Sequence, residues 1–103
     1  MGNNTNYISE NYTIKRSNDI LFQDIQDEII ILNMNNENYL GLDKVGARFW
    51  NILLNTSSVK HAYDQILDEF DVEPKILEKD LNNYISALVK SGLITVLNKP
   101  NNK

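Results

Sequence analysis

The stretch EIIILNMNNENYLGLDKVGARFWNIL, Glu28 to Leu53, decides the fold. It opens on a β-branched run from Glu28 to Met34, breaks at Asn35-Asn36-Glu37, and resumes as Asn38 to Leu42, the pattern of two strands joined by a tight turn. At Asp43 the period changes. Its carboxylate is placed to accept the first free N–H groups of a helix, and Val45, Phe49, Ile52 and Leu53 follow at i, i+4, i+7 and i+8. Ala47, Trp50 and Leu54 form a second apolar edge, so this helix has to be covered on two sides.

Outward from this stretch, Ile20 to Ile25 (ILFQDI) is a further β-branched run, separated from Glu28 by Gln26 and Asp27, which makes a three-stranded antiparallel meander. Ser57 or Ser58 caps a second helix whose Val59, Ala62, Tyr63, Ile66, Leu67 and Phe70 make a single stripe. Pro74 suits the first position of a third helix with the stripe Leu77, Leu81, Tyr84, Ile85, Leu88 and Val89, ended by Lys90 and Gly92. Leu93 to Leu97 is short and apolar, the pattern of a last strand. Residues 1–18 hold only scattered apolar residues and read as a mobile arm, 19–97 as the ordered domain, and 98–103 as a polar tail. The expected class is α+β, a three-stranded antiparallel sheet followed by three helices packed on one face, in the manner of a winged helix-turn-helix.

Composition narrows the chemistry. A chain of 103 residues builds one domain, and a formal charge of -4 disfavours the phosphate attraction behind most nucleic-acid affinity. There is no cysteine and a single histidine, His61, which excludes disulfides, thiolate nucleophiles and a Cys- or His-rich metal centre. No signal-peptide h-region or membrane-length apolar run occurs, so the expected location is cytoplasmic. MGNNTN loosely fits an N-myristoylation pattern and is read as a solvated start. Sixteen asparagines and twelve isoleucines look like the usage of an AT-rich genome and are not taken as a binding feature.

No nucleophile sits beside a base, no carboxylate pair is placed for acid–base work, and the phosphate-loop, dinucleotide and zinc-protease motifs are missing. His61 reads as a surface or capping residue, and Asp64, Asp68 and Glu69 as a solvated helix face. The expectation is a non-enzyme with no cofactor and no metal. DNA binding by a winged helix is the competing reading. The third helix argues against it, because Glu73, Glu78 and Asp80 balance Lys75, Lys79 and Lys90 on its polar face.

The third strand is more informative. In a meander Tyr39 to Leu42 lies on an edge, with no Lys, Pro or bulge within it to discourage pairing. With Leu42 stapling the helix start, alternation turns Leu40 inward as well and leaves Tyr39 and Gly41 on the other face. Such an edge suits β-augmentation by an incoming strand. A second expectation concerns the next strand: with Ile30, Leu32 and Met34 inward, Ile29, Ile31 and Tyr39 emerge as an apolar patch for the N-terminal arm, a second copy or an enzyme partner to cover.

Glu28 to Leu53, the Ser-capped helix, the break before Pro74 and LEKDLNNYISALVKSGLI (Leu77 to Ile94) together resemble the PqqD family, also described as the RiPP precursor peptide recognition element. Tyr39, Leu40, Leu42, Asp43, Val45, Gly46 and Trp50 carry most of the likeness, with Leu88, Gly92, Leu93 and Ile94 at the other end. The resemblance implies a non-catalytic peptide chaperone that binds the leader of a ribosomally made precursor and delivers it to an enzyme. That enzyme is a leader peptidase, a radical SAM protein or a cyclising enzyme, and the likeness leans toward free-standing lasso-peptide members. In that family the leader adds as a strand to the third sheet strand, against the third helix. Here that implies Tyr39, Leu40, Gly41 and Leu42 at the strand, with Leu77, Asp80, Leu81, Tyr84 and Leu88 as candidates for the helical wall. Lys79, Asp80, Asn83 and Ala87 are the alternative wall.

Overall fold

Register, more than composition, decides which side of each strand meets the core. The computed structural model describes residues 6–98; the amino-terminal GNNT pattern and the tail beyond Asn98 lie outside the described residues. Three strands, β2 (Ile20–Ile25), β3 (Glu28–Asn33) and β4 (Tyr39–Leu42), form an antiparallel sheet in the order β2-β3-β4. Helices α1 (Lys44–Asn55), α2 (Val59–Glu69) and α3 (Pro74–Lys90) follow, giving an α+β fold. The β2–β3 connection is a two-residue turn with Gln26 and Asp27 at φ 52° and 73°, the left-handed pair that matches strand twist.

The helix boundaries obey the local chemistry expected of them. Asp43 Oδ1 accepts from Gly46 N at 2.9 Å, Ser58 Oγ accepts from His61 N at 3.2 Å, and Pro74 occupies the first turn of α3. The core that these elements enclose runs from Ile29 and Ile31 on the sheet through Trp50 and Leu53 on α1 to Ile66, Leu81 and Ile85. Trp50 is 1% exposed and lies edge-on to Phe22, with ring centroids 6.0 Å apart. Val45, expected in the apolar stripe of α1, is instead exposed.

Two expectations are corrected. The first is the arm. Tyr12–Arg16 is a strand, β1, paired antiparallel with β5 (Ile94–Asn98), so a second, two-stranded sheet joins the two ends of the domain. Tyr7 and Ser9, just before it, are also engaged: Tyr7 N donates to Asn82 Oδ1 at 2.7 Å, and Lys60 N donates to Ser9 O at 3.3 Å. A short strand gains its ladder from a partner far along the chain, which no local pattern in residues 1–18 announces.

The second correction is the phase of β3. Ile29 and Ile31 are fully buried while Ile30 is 46% exposed, the reverse of the expected alternation. Pairing explains it: Ile29 lies opposite Leu42 and Ile31 opposite Leu40, so the residues that β4 turns inward select the inward set of β3.

Asn33 closes the end of the sheet against α3. It is 5% exposed, donates from Nδ2 to Ser91 O at 3.0 Å, and accepts from Asn35 N at 2.9 Å. Gly92, at φ 74°, makes the turn that brings Ser91 there, and a Cβ on it would stand 3.0 Å from Asn33 Nδ2. Replacing Asn33 by Ala removes both bonds and is expected to cost about 1–3 kcal/mol. Thermal unfolding followed by circular dichroism checks this; a melting temperature equal to that of the unmodified chain refutes the clamp.

Candidate functional site

Within the three-stranded sheet only the outermost strands have a free side, and the two are not equivalent. Asn33 N donates to Asn38 O at 2.8 Å, and from that pair the antiparallel alternation runs down β4. Leu40 and Leu42 therefore direct their N–H and C=O groups to β3, while those of Tyr39 and Gly41 point away from the sheet. Among the described residues no strand pairs with that side.

The β2 edge is less inviting. Asp24, on its core-facing side, carries an exposed charge of the kind that discourages strand pairing, and the Arg16 guanidinium sits 5.2 Å from the centroid of the Phe22 ring. On β4 nothing comparable occurs. A Cβ built on Gly41 meets no atom within 4 Å, and the residue has no positive φ, so neither crowding nor backbone conformation requires glycine there. A glycine inside a strand leaves room for another backbone to approach closely.

Beside this edge lies α3. Leu77, Leu81 and Leu88, candidates for the wall, are 2%, 0% and 1% exposed and belong to the core, so they are not available to a ligand. Tyr84 is half-buried; its ring lies edge-on to Phe49 at 5.6 Å and its hydroxyl donates to Gly46 O at 2.7 Å. Burial pushes its phenol pKa well up, with the nearby Asp43 carboxylate adding to the effect. It is a strut holding α3 to the start of α1 rather than a free wall residue. Helical spacing places Asp80, Ala87 and Ser91 on the same side as Tyr84, and all three are exposed. Asp80 from the first wall and Ala87 from the alternative thus lie together, whereas Lys79 is rotated away. The opposite flank, at Asn82, is taken by Tyr7.

At the Tyr39 end the furrow deepens into a cavity of about 360 Å3 lined by Asn33, Asn38, Tyr39, Leu40, Lys90 and Ser91 among others. Its amides and Lys90 escaped the sequence reading, the asparagines because their abundance was put down to genome composition. The Gly92 turn was the available sign that the end of α3 returns to the sheet. A larger cavity of about 650 Å3, between the β2–β3 turn and α1, takes no residue from β4. Its Arg48 and Glu69 are paired to each other at 2.7 and 2.8 Å, and this contact holds the Glu69 carboxyl below its ordinary range. His61 is exposed, with Nδ1 within 2.8 and 2.9 Å of the Ser57 and Ser58 hydroxyls, in keeping with a capping residue. No group of His, Cys, Asp or Glu side chains able to hold a metal occurs among the described residues.

Tyr84→Phe tests the strut. Loss of the bond to Gly46 O is expected to lower stability by about 0.5–1.5 kcal/mol. In the unmodified chain the native phenol stays protonated at a pH where the unfolded one, with a pKa of about 10, ionises, so stability falls as pH rises past that value. Denaturant midpoints from neutral to strongly alkaline pH check both points: the fall should be shallower in Tyr84→Phe, and equal slopes refute the assignment.

The fold is shared with known proteins. The family model described as coenzyme PQQ synthesis protein D (PqqD) matches residues 28–94. A solved structure of TbiB1 in complex with the TbiA(beta) leader peptide is similar at 31% identity and a TM-score of 0.73, over 78% of this chain and 93% of that one. A lasso peptide synthetase B1 complexed with the leader peptide is similar in fold, at 18% identity and a TM-score of 0.72, over 80% of this chain and 96% of that one. No curated protein matches the sequence. With a family model spanning more than half its length, from the outer end of β3 to the start of β5, the chain belongs to the PqqD family.

Proposed function

We propose that this chain is a non-catalytic leader-peptide-binding adaptor, which captures a ribosomally made precursor by strand addition along β4 and presents it to a modifying enzyme or leader peptidase. The observation that carries the reading is the unobstructed outer side of β4, where Tyr39 and Gly41 present their backbone donors and acceptors beside the open flank of α3. Both solved structures it resembles hold leader peptides, which supports the same occupant. The guest backbone bonds Tyr39 and Gly41, its side chains on the Leu40 side enter the furrow against Asp80 and Ala87, and the next ones run into the Lys90 cavity. A winged-helix likeness of α1 to α3 lends itself to DNA binding by fold alone. The exposed face of α3, with Glu78 and Asp80 beside Lys75 and Lys79, offers no basic surface to favour that use.

Amide hydrogen exchange gives an alternating test. On binding the leader, the Tyr39 and Gly41 amides should gain protection, whereas those of Leu40 and Leu42 are protected already. Protection gained elsewhere and not at these two refutes strand addition. Gly41→Pro removes an outward donor without breaking the β3–β4 ladder. It should therefore keep the melting transition within a few degrees and weaken leader binding about tenfold or more. Gly41→Ala, with free space for its methyl group, is the control that should leave folding intact.

A further inference from the structure

Strands β1 and β2 follow one another along the chain and yet belong to different sheets. Ser17 N donates to Leu93 O at 3.0 Å and Met34 N donates to Asp19 O at 2.8 Å, so on either side of the bend at residues 17–19 each strand is committed to its own partner. Between the two, over α1, lies a cleft of about 410 Å3 lined by Ile14, Lys15, Arg16, Phe22, Trp50 and Leu54 among others. Ile14, Arg16 and Phe22 precede the residues 28–94 that the family model matches, and no residue of β4 or α3 lines the cleft, which is therefore separate from the peptide edge.

Its polar groups are donors without acceptors. The Arg16 guanidinium lies over the Phe22 ring, 5.2 Å from the centroid, a contact that engages the face of the group and leaves its in-plane N–H donors free. Among the described residues neither Arg16 nor Lys15 forms an ion pair. No acidic residue lines the cleft: Asp19 accepts from Asn35 Nδ2 at 3.1 Å, and Asp24 lines the neighbouring cavity. In a chain of formal charge -4, a pocket with cations and no carboxylate of its own is suited to an anion. Trp50 is the second sign. It is 1% exposed, and its Nε1 has no hydrogen-bond partner among the described residues, a buried donor of the kind that folded proteins seldom leave unmet. The Arg16–Phe22 contact also bridges β1 to β2, which bars an extended backbone and admits a compact molecule of the size that such a volume holds.

We infer that the cleft between β1 and β2 binds a small apolar carboxylic acid, its carboxylate held by the Arg16 fork and its aromatic or aliphatic body laid against Phe22, Trp50 and Leu54. The planar guanidinium matches a carboxylate through two parallel bonds, and a carboxylate oxygen is the class of acceptor that the Trp50 N–H lacks. Bound there, the acid touches β1, β2 and α1 at once, so it fastens the amino-terminal strand to the domain and stabilises the fold by mass action.

The test uses the full chain, with phenylpropionate as the probe and phenylpropionamide as its uncharged counterpart. Trp50 is the only tryptophan of the chain, so tryptophan fluorescence reports the cleft directly. The acid should change that emission saturably, with half-saturation at about a millimolar or below, and raise the melting temperature over the same range. The amide should bind about fivefold more weakly or worse. Arg16→Gln should weaken the acid about fivefold or more, and Arg16→Lys, which keeps the charge without the fork, should fall between. Arg16 is exposed, so neither variant threatens the fold. No saturable response to the acid overturns the inference, as do equal affinities for acid and amide, or an Arg16→Gln chain that binds the acid as before. N-acetyl-glutamyl-phenylalanine amide carries the same carboxylate and ring on a backbone. Weaker or equal binding of this peptide supports the small acid, whereas tighter binding makes a peptide the occupant and overturns the assignment.

Discussion

A β-strand can leave half its backbone groups unpaired only if the other half hold it in place, and β4 meets that condition within four residues. Leu40 and Leu42 turn their side chains to the core and their backbone groups to β3, so Tyr39 and Gly41 are left in water on both counts. Everything else that bears on the site follows from this alternation. It selects Ile29 and Ile31 as the buried set of β3, it seats Asp43 one residue beyond the strand to start α1, and it directs the free donors and acceptors toward the flank of α3.

The furrow beside β4 is held open by polar struts. Tyr84 fixes α3 to the first turn of α1 through Gly46 O, and Asn33 fixes the far end of α3 to β3 through Ser91 O. Leu77, Leu81, Ile85 and Leu88 meanwhile pull the inner face of α3 into the core. The helix is thus located from both sides without packing closely on β4, which instead rests on α1. On that flank α3 carries the small Ala87 and the short Asp80, both exposed.

Most of the fold was legible locally because caps, turns and periodicity agree with one another at each boundary: Asp43, Ser58, Pro74 and Gly92 all sit where their chemistry is used. What could not be read were matters of pairing. β1 depends on β5, and the phase of β3 depends on β4, so in a run such as Ile29-Ile30-Ile31-Leu32 both alternations look equally apolar. The same blindness blurred the site. The edge strand was identifiable because an edge is a topological property of a meander, but on α3 a stripe of leucines at helical spacing fits a core and a ligand wall alike. Burial assigns it to the core.

The size of the open edge also says how recognition must be divided. Two residues with outward backbone groups offer at most a handful of hydrogen bonds, each worth only about 0.5–1.5 kcal/mol net in water. Micromolar binding requires about 8 kcal/mol after the cost of association has been met. In the proposed strand addition, backbone pairing sets the path and register of the guest, while side-chain burial in the furrow has to provide much of the affinity and nearly all of the selectivity. An adaptor that bound in the proposed way would tolerate many sequences as strands but few as ligands, which is what picking one precursor out of a cell full of extended chains requires.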